Sequence, residues 1–137
     1  MFIVIAASSV VAAALKVTGV PRRALLLARV RHTIALSEPV FAEIEEVLRR
    51  PKFERVLTED RQFEILQLLS AGAVWFEPKV PVHDCRDAKD NKYLELALAA
   101  EAALIVSSDT DLLILNPWRS IRIIRPSDLL AEEEPSN

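Results

Sequence analysis

Five short apolar runs punctuate the chain: Phe2–Ile5, Thr33–Leu36, Val74–Phe76, Leu104–Val106 and Ile121–Ile124. None alternates with polar residues, the pattern expected of strands in a parallel sheet covered on both faces. Segments with helical spacing separate them. Pro21–Val30 opens with a proline, which suits a first helical position because its missing N–H has no partner there. Glu38–Arg50 has Ser37 as a cap and Pro51 as a stop. Its apolar stripe is Val40, Phe41, Ile44, Val47 and Leu48. Thr58 leads Glu59–Leu69, Asp90 leads Asn91–Ala102, and Ser127 precedes a last turn over Asp128–Leu130. Ser8 and Ser9 are expected to cap a helix over Val10–Lys16. Strands alternating with helices predict right-handed crossovers and a three-layer α/β/α sandwich with a central, mainly parallel sheet.

At 137 residues, 51% of them hydrophobic, the chain is the size of one compact domain. That domain is expected over residues 1–131, with a flexible acidic tail over 132–137. Two glycines and eight prolines speak against disorder. The opening apolar run to Leu15 is broken by Ser8 and Ser9. It is too short for a membrane span and lacks the basic leader of a signal peptide. A cytoplasmic protein without membrane association is the expectation. Cys85 is the single cysteine, so neither an internal disulfide nor a thiolate metal cluster is available.

Net charge is −3, from 17 basic and 20 acidic residues. Its distribution is more informative than its sum. Arg22, Arg23, Arg29 and Arg31 form one basic cluster, and Arg49, Arg50, Lys52 and Arg55 another. Each reads either as a phosphate-binding surface or as a solvated helix face. His32 and His83 fall in no chemical pattern, and structural roles are expected for both.

In parallel α/β sheets a ligand site lies beyond the carboxyl ends of the strands. The fourth run ends there in Ser107-Ser108-Asp109-Thr110-Asp111. Two carboxylates so spaced either converge on a hard divalent cation or cap the short helix that follows. Asp87 and Asp90 precede the next-to-last long helix, where one of them is expected as its cap. Glu43 and Glu45 flank the apolar stripe of Glu38–Arg50, and periodicity does not choose between them. The end of the first run, Val4-Ile5-Ala6-Ala7-Ser8, offers no carboxylate.

Together these segments resemble the PIN domain family, which includes VapC-type ribonucleases. The first strand resembles the family's hydrophobic-Asp-[Thr/Ala]-[Asn/Ser] opening, with Ala6 at the position of the aspartate. Leu36 to Leu48 resembles the block with the helical acidic ligand, and the match falls on Glu43. Cys85 to Ala97 aligns the third acidic ligand with Asp90. Ser107-Ser108-Asp109-Thr110-Asp111-Leu112 resembles the closing [Thr/Ser]-X-Asp-X-Asp-Leu signature. An engineered substitution that silences a nuclease and a naturally degenerate copy both leave Ala6 in such a pattern.

The resemblance implies a Mg²⁺- or Mn²⁺-dependent endoribonuclease acting on single-stranded RNA, the toxin of a toxin–antitoxin pair, impaired by the lost ligand. It implies Asp90 and Asp109 as principal metal ligands, Glu43 and Asp111 as supporting carboxylates, and Ser107 as a hydroxyl that orients water or a ligand. A small antitoxin protein and a homodimer are the partners implied. The competing reading is a degenerate, non-catalytic PIN-like module that binds RNA or a partner protein. An aspartate-dependent phosphotransferase fits less well, because its Asp-X-Asp motif usually follows the first strand rather than the fourth.

Overall fold

A computed structural model describes residues 1–134. Its strands are β1 (Phe2–Ile5), β2 (Thr33–Leu36), β3 (Val74–Trp75), β4 (Leu104–Val106) and β5 (Arg122–Ile124). Its helices are α1 (Ala7–Leu15), α2 (Val20–Arg31), α3 (Glu38–Leu48), α4 (Glu59–Ser70), α5 (Asn91–Ala100), α6 (Thr110–Leu113) and α7 (Pro126–Glu133). The strands form one sheet in the order β3-β2-β1-β4-β5, and every pairing is parallel. Helices flank it, giving the expected α/β/α architecture. No helix among the described residues is long and apolar enough to cross a membrane.

Central β1 and β4 are buried on both faces, with Ile3, Val4 and Ile105 fully enclosed. That explains their unbroken apolar sequences. The third strand departs from the expectation of burial. It lies at the sheet edge, where Val74 is 41% and Trp75 51% exposed. Regular pairing stops at Trp75, although the N–H of Phe76 still donates to the Leu36 carbonyl at 2.8 Å.

Several helix ends also differ from the sequence reading. α1 starts directly off β1, with Ala6 in extended backbone as its N-cap and the N–H of Val10 donating to the Ala6 carbonyl at 3.2 Å. Ser8 and Ser9 therefore lie inside the helix and do not cap it. The Ser8 hydroxyl accepts from the N–H of Ser108 at 3.1 Å instead. Ser37 and Thr58 do cap α3 and α4, accepting from the N–H groups of Val40 and Arg61. α3 ends at Leu48, two residues before Arg50. α5 ends at Ala100, where Glu101 turns left-handed at φ 51° and the N–H of Ala102 folds back to the Ala97 carbonyl.

The final helix is longer than one turn. Its start is fixed by Asp128, whose carboxylate accepts from the Arg125 N–H at 3.1 Å, and Ser127 is not the cap. Glu132 grips Arg122 through two contacts of 2.7 and 2.8 Å, Glu133 meets His32 Nε2 at 2.6 Å, and Glu134 pairs with Arg23. Residues 132–134 thus continue the packed domain rather than starting a tail. Residues 135–137 of the expected tail lie outside the described residues.

The burial contrast between central and edge strands has a measurable consequence. Ile105→Ala, which leaves a cavity in the middle of the sheet, should lower unfolding free energy by about 2–5 kcal/mol. Val74→Thr at the edge should lower it by less than about 1 kcal/mol. Urea unfolding of both variants checks the ranking.

Candidate metal centre

Strand order reverses between β1 and β4, because the chain proceeds from β1 toward β2 on one side and returns to β4 on the other. The loops leaving the carboxyl ends of these two neighbours diverge and open a crevice. A cavity of about 220 Å³ lies there, lined by Ala6, Ser8, Glu43, Asp87, Asp90, Tyr93 and Asp109, with Arg50 and Lys89 among the remaining lining residues.

Asp109 is both cap and cavity wall. Its Oδ1 accepts from the Asp111 N–H at 2.9 Å, which starts α6. Its own N–H donates to Ser107 Oγ at 2.9 Å. Ser107 is fully buried and does not line the cavity, so its hydroxyl shapes the loop carrying Asp109. That corrects the expectation of a hydroxyl facing water or a ligand, which requires exposure that this residue lacks.

Asp87 caps the 3-10 turn Ala88–Asp90, accepting from the Lys89 N–H at 3.1 Å. The turn swings Asp90 inward to 9% exposure, at the amino end of α5. Asp90 Oδ2 is sealed from solvent and has no hydrogen-bond partner. Asp87, Asp90 and Asp111 each offer a carboxylate oxygen within 4.8 Å of the others. Asp111 also accepts from Arg86 Nε at 2.9 Å, which holds it at the rim. Burial first, then hydrogen bonding and charge from Asp109, then the charges of Asp87 and Glu43, push the Asp90 carboxyl up to about 7. A buried orphan oxygen among carboxylates is satisfied either by a proton or by a cation, so the donor set fits a hard divalent ion.

Of the two glutamates left open by periodicity, Glu43 faces this cavity and Glu45 lines a different surface hollow. Both Glu43 oxygens are engaged: Lys92 Nζ donates to Oε2 at 2.6 Å, and the Tyr93 hydroxyl donates to Oε1. That hydroxyl in turn accepts from the N–H of Ala7 at 3.2 Å. Burial and the neighbouring Glu43 carboxylate raise the Tyr93 phenol far above its ordinary value, so it stays protonated as a donor. Ala6 closes the crevice floor. Its N–H donates to the Val106 carbonyl at 2.9 Å, and its methyl stands where β1 gives way to α1.

A family model described as PIN domain matches residues 3–111. The chain belongs to the PIN domain family. The matched span covers every cavity position discussed above, from Ala6 to Asp109, and Asp111 beside them. A curated relative, an uncharacterized protein from Methanocaldococcus jannaschii, is 29% identical over 115 residues, covering 82% of this chain and 74% of its own. The PIN fold is also similar to the crystal structure of VapBC2 from Rickettsia felis bound to a DNA fragment from their promoter. The TM-score is 0.59 at 13% identity, covering 90% of this chain and 97% of that one.

Sequence reading gave no role to Tyr93, which lines this PIN cavity, or to Lys92 beside it on α5. Asp87 was legible as a cap or a ligand, because capping and clustering use the same carboxylate. Lys92 and Tyr93 sit at helical spacing on α5 and carry no sign in the sequence of facing Glu43 across 49 and 50 positions.

The displaced Asp90 titration makes a prediction. Its folded-state value, about 7, lies above the ordinary 3.8, so the native state holds this proton more tightly than the unfolded chain does. The stability it confers is present at low pH and is lost as pH rises through about 7. In chelator, Asp90→Asn should flatten the melting-temperature profile between about pH 4 and 7 and melt above the parent at the upper end. An unchanged slope in the variant removes Asp90 as the cause.

Proposed function

We propose that this PIN domain is a Mg²⁺- or Mn²⁺-dependent endoribonuclease, the toxin of a toxin–antitoxin pair, in a form impaired by Ala6. The observation that carries the reading is the buried, unpartnered Asp90 Oδ2 within a carboxylate-lined cavity at the β1–β4 crevice. Asp90 and Asp109 are the principal metal-holding residues in this proposal, with Asp111, Asp87 and Glu43 in support. A bound divalent ion would orient the phosphodiester, acidify a water and stabilise charge on the attacking and leaving oxygens. The chain's own groups do the rest. Asp109 is fixed by Ser107 and by its cap to α6, and Asp90 is fixed by the 3-10 turn. Arg50 and Lys89 bring positive charge to the cavity lining and favour a polyanion such as single-stranded RNA.

Ala6 removes one carboxylate from the carboxyl edge. Two carboxylates about 4 Å apart repel by about 4 kcal/mol at an effective dielectric near 20, so the metal-free fold gains from the methyl. Metal affinity and rate lose. Extending the VapBC2 likeness to this chain, we propose a small antitoxin partner, a homodimer and a cytoplasmic setting. The second reading is a non-catalytic PIN-like module that binds RNA or a partner protein. It is favoured by Ala6 together with the engagement of both Glu43 oxygens by protein donors.

Two outcomes test the proposal. Millimolar Mn²⁺ should raise the melting temperature of the parent by mass action, and Asp90→Asn/Asp109→Asn should abolish the rise. Ala6→Asp should then cut a fluorescent single-stranded RNA about 100-fold faster than the parent, on the scale by which weakened metal ligation lowers activity. Cleavage should vanish in EDTA and in Ala6→Asp/Asp109→Asn. An Ala6→Asp variant that folds, yet neither binds Mn²⁺ more tightly nor cuts faster, leaves the non-catalytic reading standing.

A further inference from the structure

We propose that Lys92 is a positioning residue, a tethered cation that holds Glu43 and competes with a metal for its carboxylate. The inference rests on reading the cavity as a metal centre.

The placement of Lys92 is the first argument. It lies in the first turn of α5, where the helix dipole presents positive charge and disfavours a cation. An ammonium there needs a compensating anion, and the Glu43 carboxylate of α3 supplies it at 2.6 Å. Both side chains are largely withdrawn from water, Lys92 at 24% and Glu43 at 18% exposure, so the contact is stronger than a surface pair.

The second argument is the complete use of the Glu43 carboxylate. Lys92 takes Oε2 and Tyr93 takes Oε1. Asp87, Asp90 and Asp111 converge as a group that does not include Glu43. Each oxygen keeps a second lone pair, but a metal drawing on Glu43 shares it with the ammonium on Oε2 and is repelled by that charge. Tyr93 is 1% exposed and is tied through its hydroxyl to the Ala7 N–H, so it cannot move without disturbing the β1–α1 turn. Lys92 has a four-carbon flexible stem and retains partial exposure, whereas Tyr93 has almost none. It is the donor that can leave.

Lys92 therefore sets how many carboxylates the metal receives. With the ammonium in place, the ion is held by the aspartates alone. With it displaced, Glu43 joins from the opposite wall. The same contact balances charge in the metal-free cavity, which already lacks a carboxylate at position 6.

The experiment is Mn²⁺ titration of the full chain by calorimetry, in the parent, Lys92→Met, Lys92→Arg, Glu43→Gln and Glu43→Gln/Lys92→Met, with circular dichroism confirming the fold. Lys92→Gln replaces Lys92→Met if the latter fails to fold. Lys92→Met should tighten Mn²⁺ binding about tenfold, because the released Glu43 carboxylate joins the aspartates as a further oxygen ligand. Lys92→Arg, which keeps the charge, should stay within about twofold of the parent. In the Glu43→Gln background the gain should disappear. Unchanged or weaker binding by Lys92→Met overturns the proposal. So does an equal gain in the Glu43→Gln background, which assigns the effect to lost charge alone. Absence of Mn²⁺ binding in the parent, in every one of these variants and in Ala6→Asp titrated alongside them is the distinct result that defeats the metal-centre reading and the tether with it.

Discussion

Parallel pairing of β1 with β4 brings together two strand ends separated by about a hundred positions of sequence, with Ile3, Val4 and Ile5 facing Leu104, Ile105 and Val106. The pairing runs one step further, through the Ala6 N–H to the Val106 carbonyl. Everything chemical in the molecule hangs from that last step. It sets the floor of the crevice, the starting point of α1, and the position from which the Asp109 loop departs. The apolar sequences of both strands are the condition for it, since only side chains that can be buried on both faces allow a strand to lie between two neighbours under two layers of helix.

Carboxylates gathered at such a point repel one another in a setting with little water to screen them. The fold relieves this in four local ways. A helix N-terminal N–H holds Asp109, an arginine holds Asp111, a lysine and a phenol hold Glu43, and Asp90 retains a proton to about neutral pH. Asp90 Oδ2 has no protein donor, and burial, followed by its closeness to Asp109, is what raises this carboxyl. The cluster is thus organised around the one member left unsatisfied.

How much of this could be read from sequence depended on the range of the interaction involved. β1, β2 and β4 coincide with their apolar runs residue for residue, because continuous burial leaves a continuous trace. The caps at Ser37 and Thr58 were legible because a cap acts over three residues. The start of α1 was not, since Ser8 and Ser9 look like caps yet the Ala6 backbone begins the helix without any side chain. Burial of the third strand was overestimated, because Val74 and Trp75 read the same whether the strand is central or at the edge. The family motifs located Glu43, Asp90 and Asp109, and these do line one cavity. Ser107 carries the right residue type in the right place but is enclosed, and accessibility has no local signature. Lys92 and Tyr93 became visible only once α3 and α5 were placed side by side.

The three glutamates closing α7 reach Arg122 at the start of β5, His32 just before β2, and Arg23 on α2. Met1 sits at the same edge, its carbonyl accepting from the N–H of Thr33. Both described ends of the chain are therefore moored at the amino edge of the sheet, with the whole strand length between them and the crevice. A handle joined before Met1 would leave from the pole of the molecule opposite the mouth of the crevice.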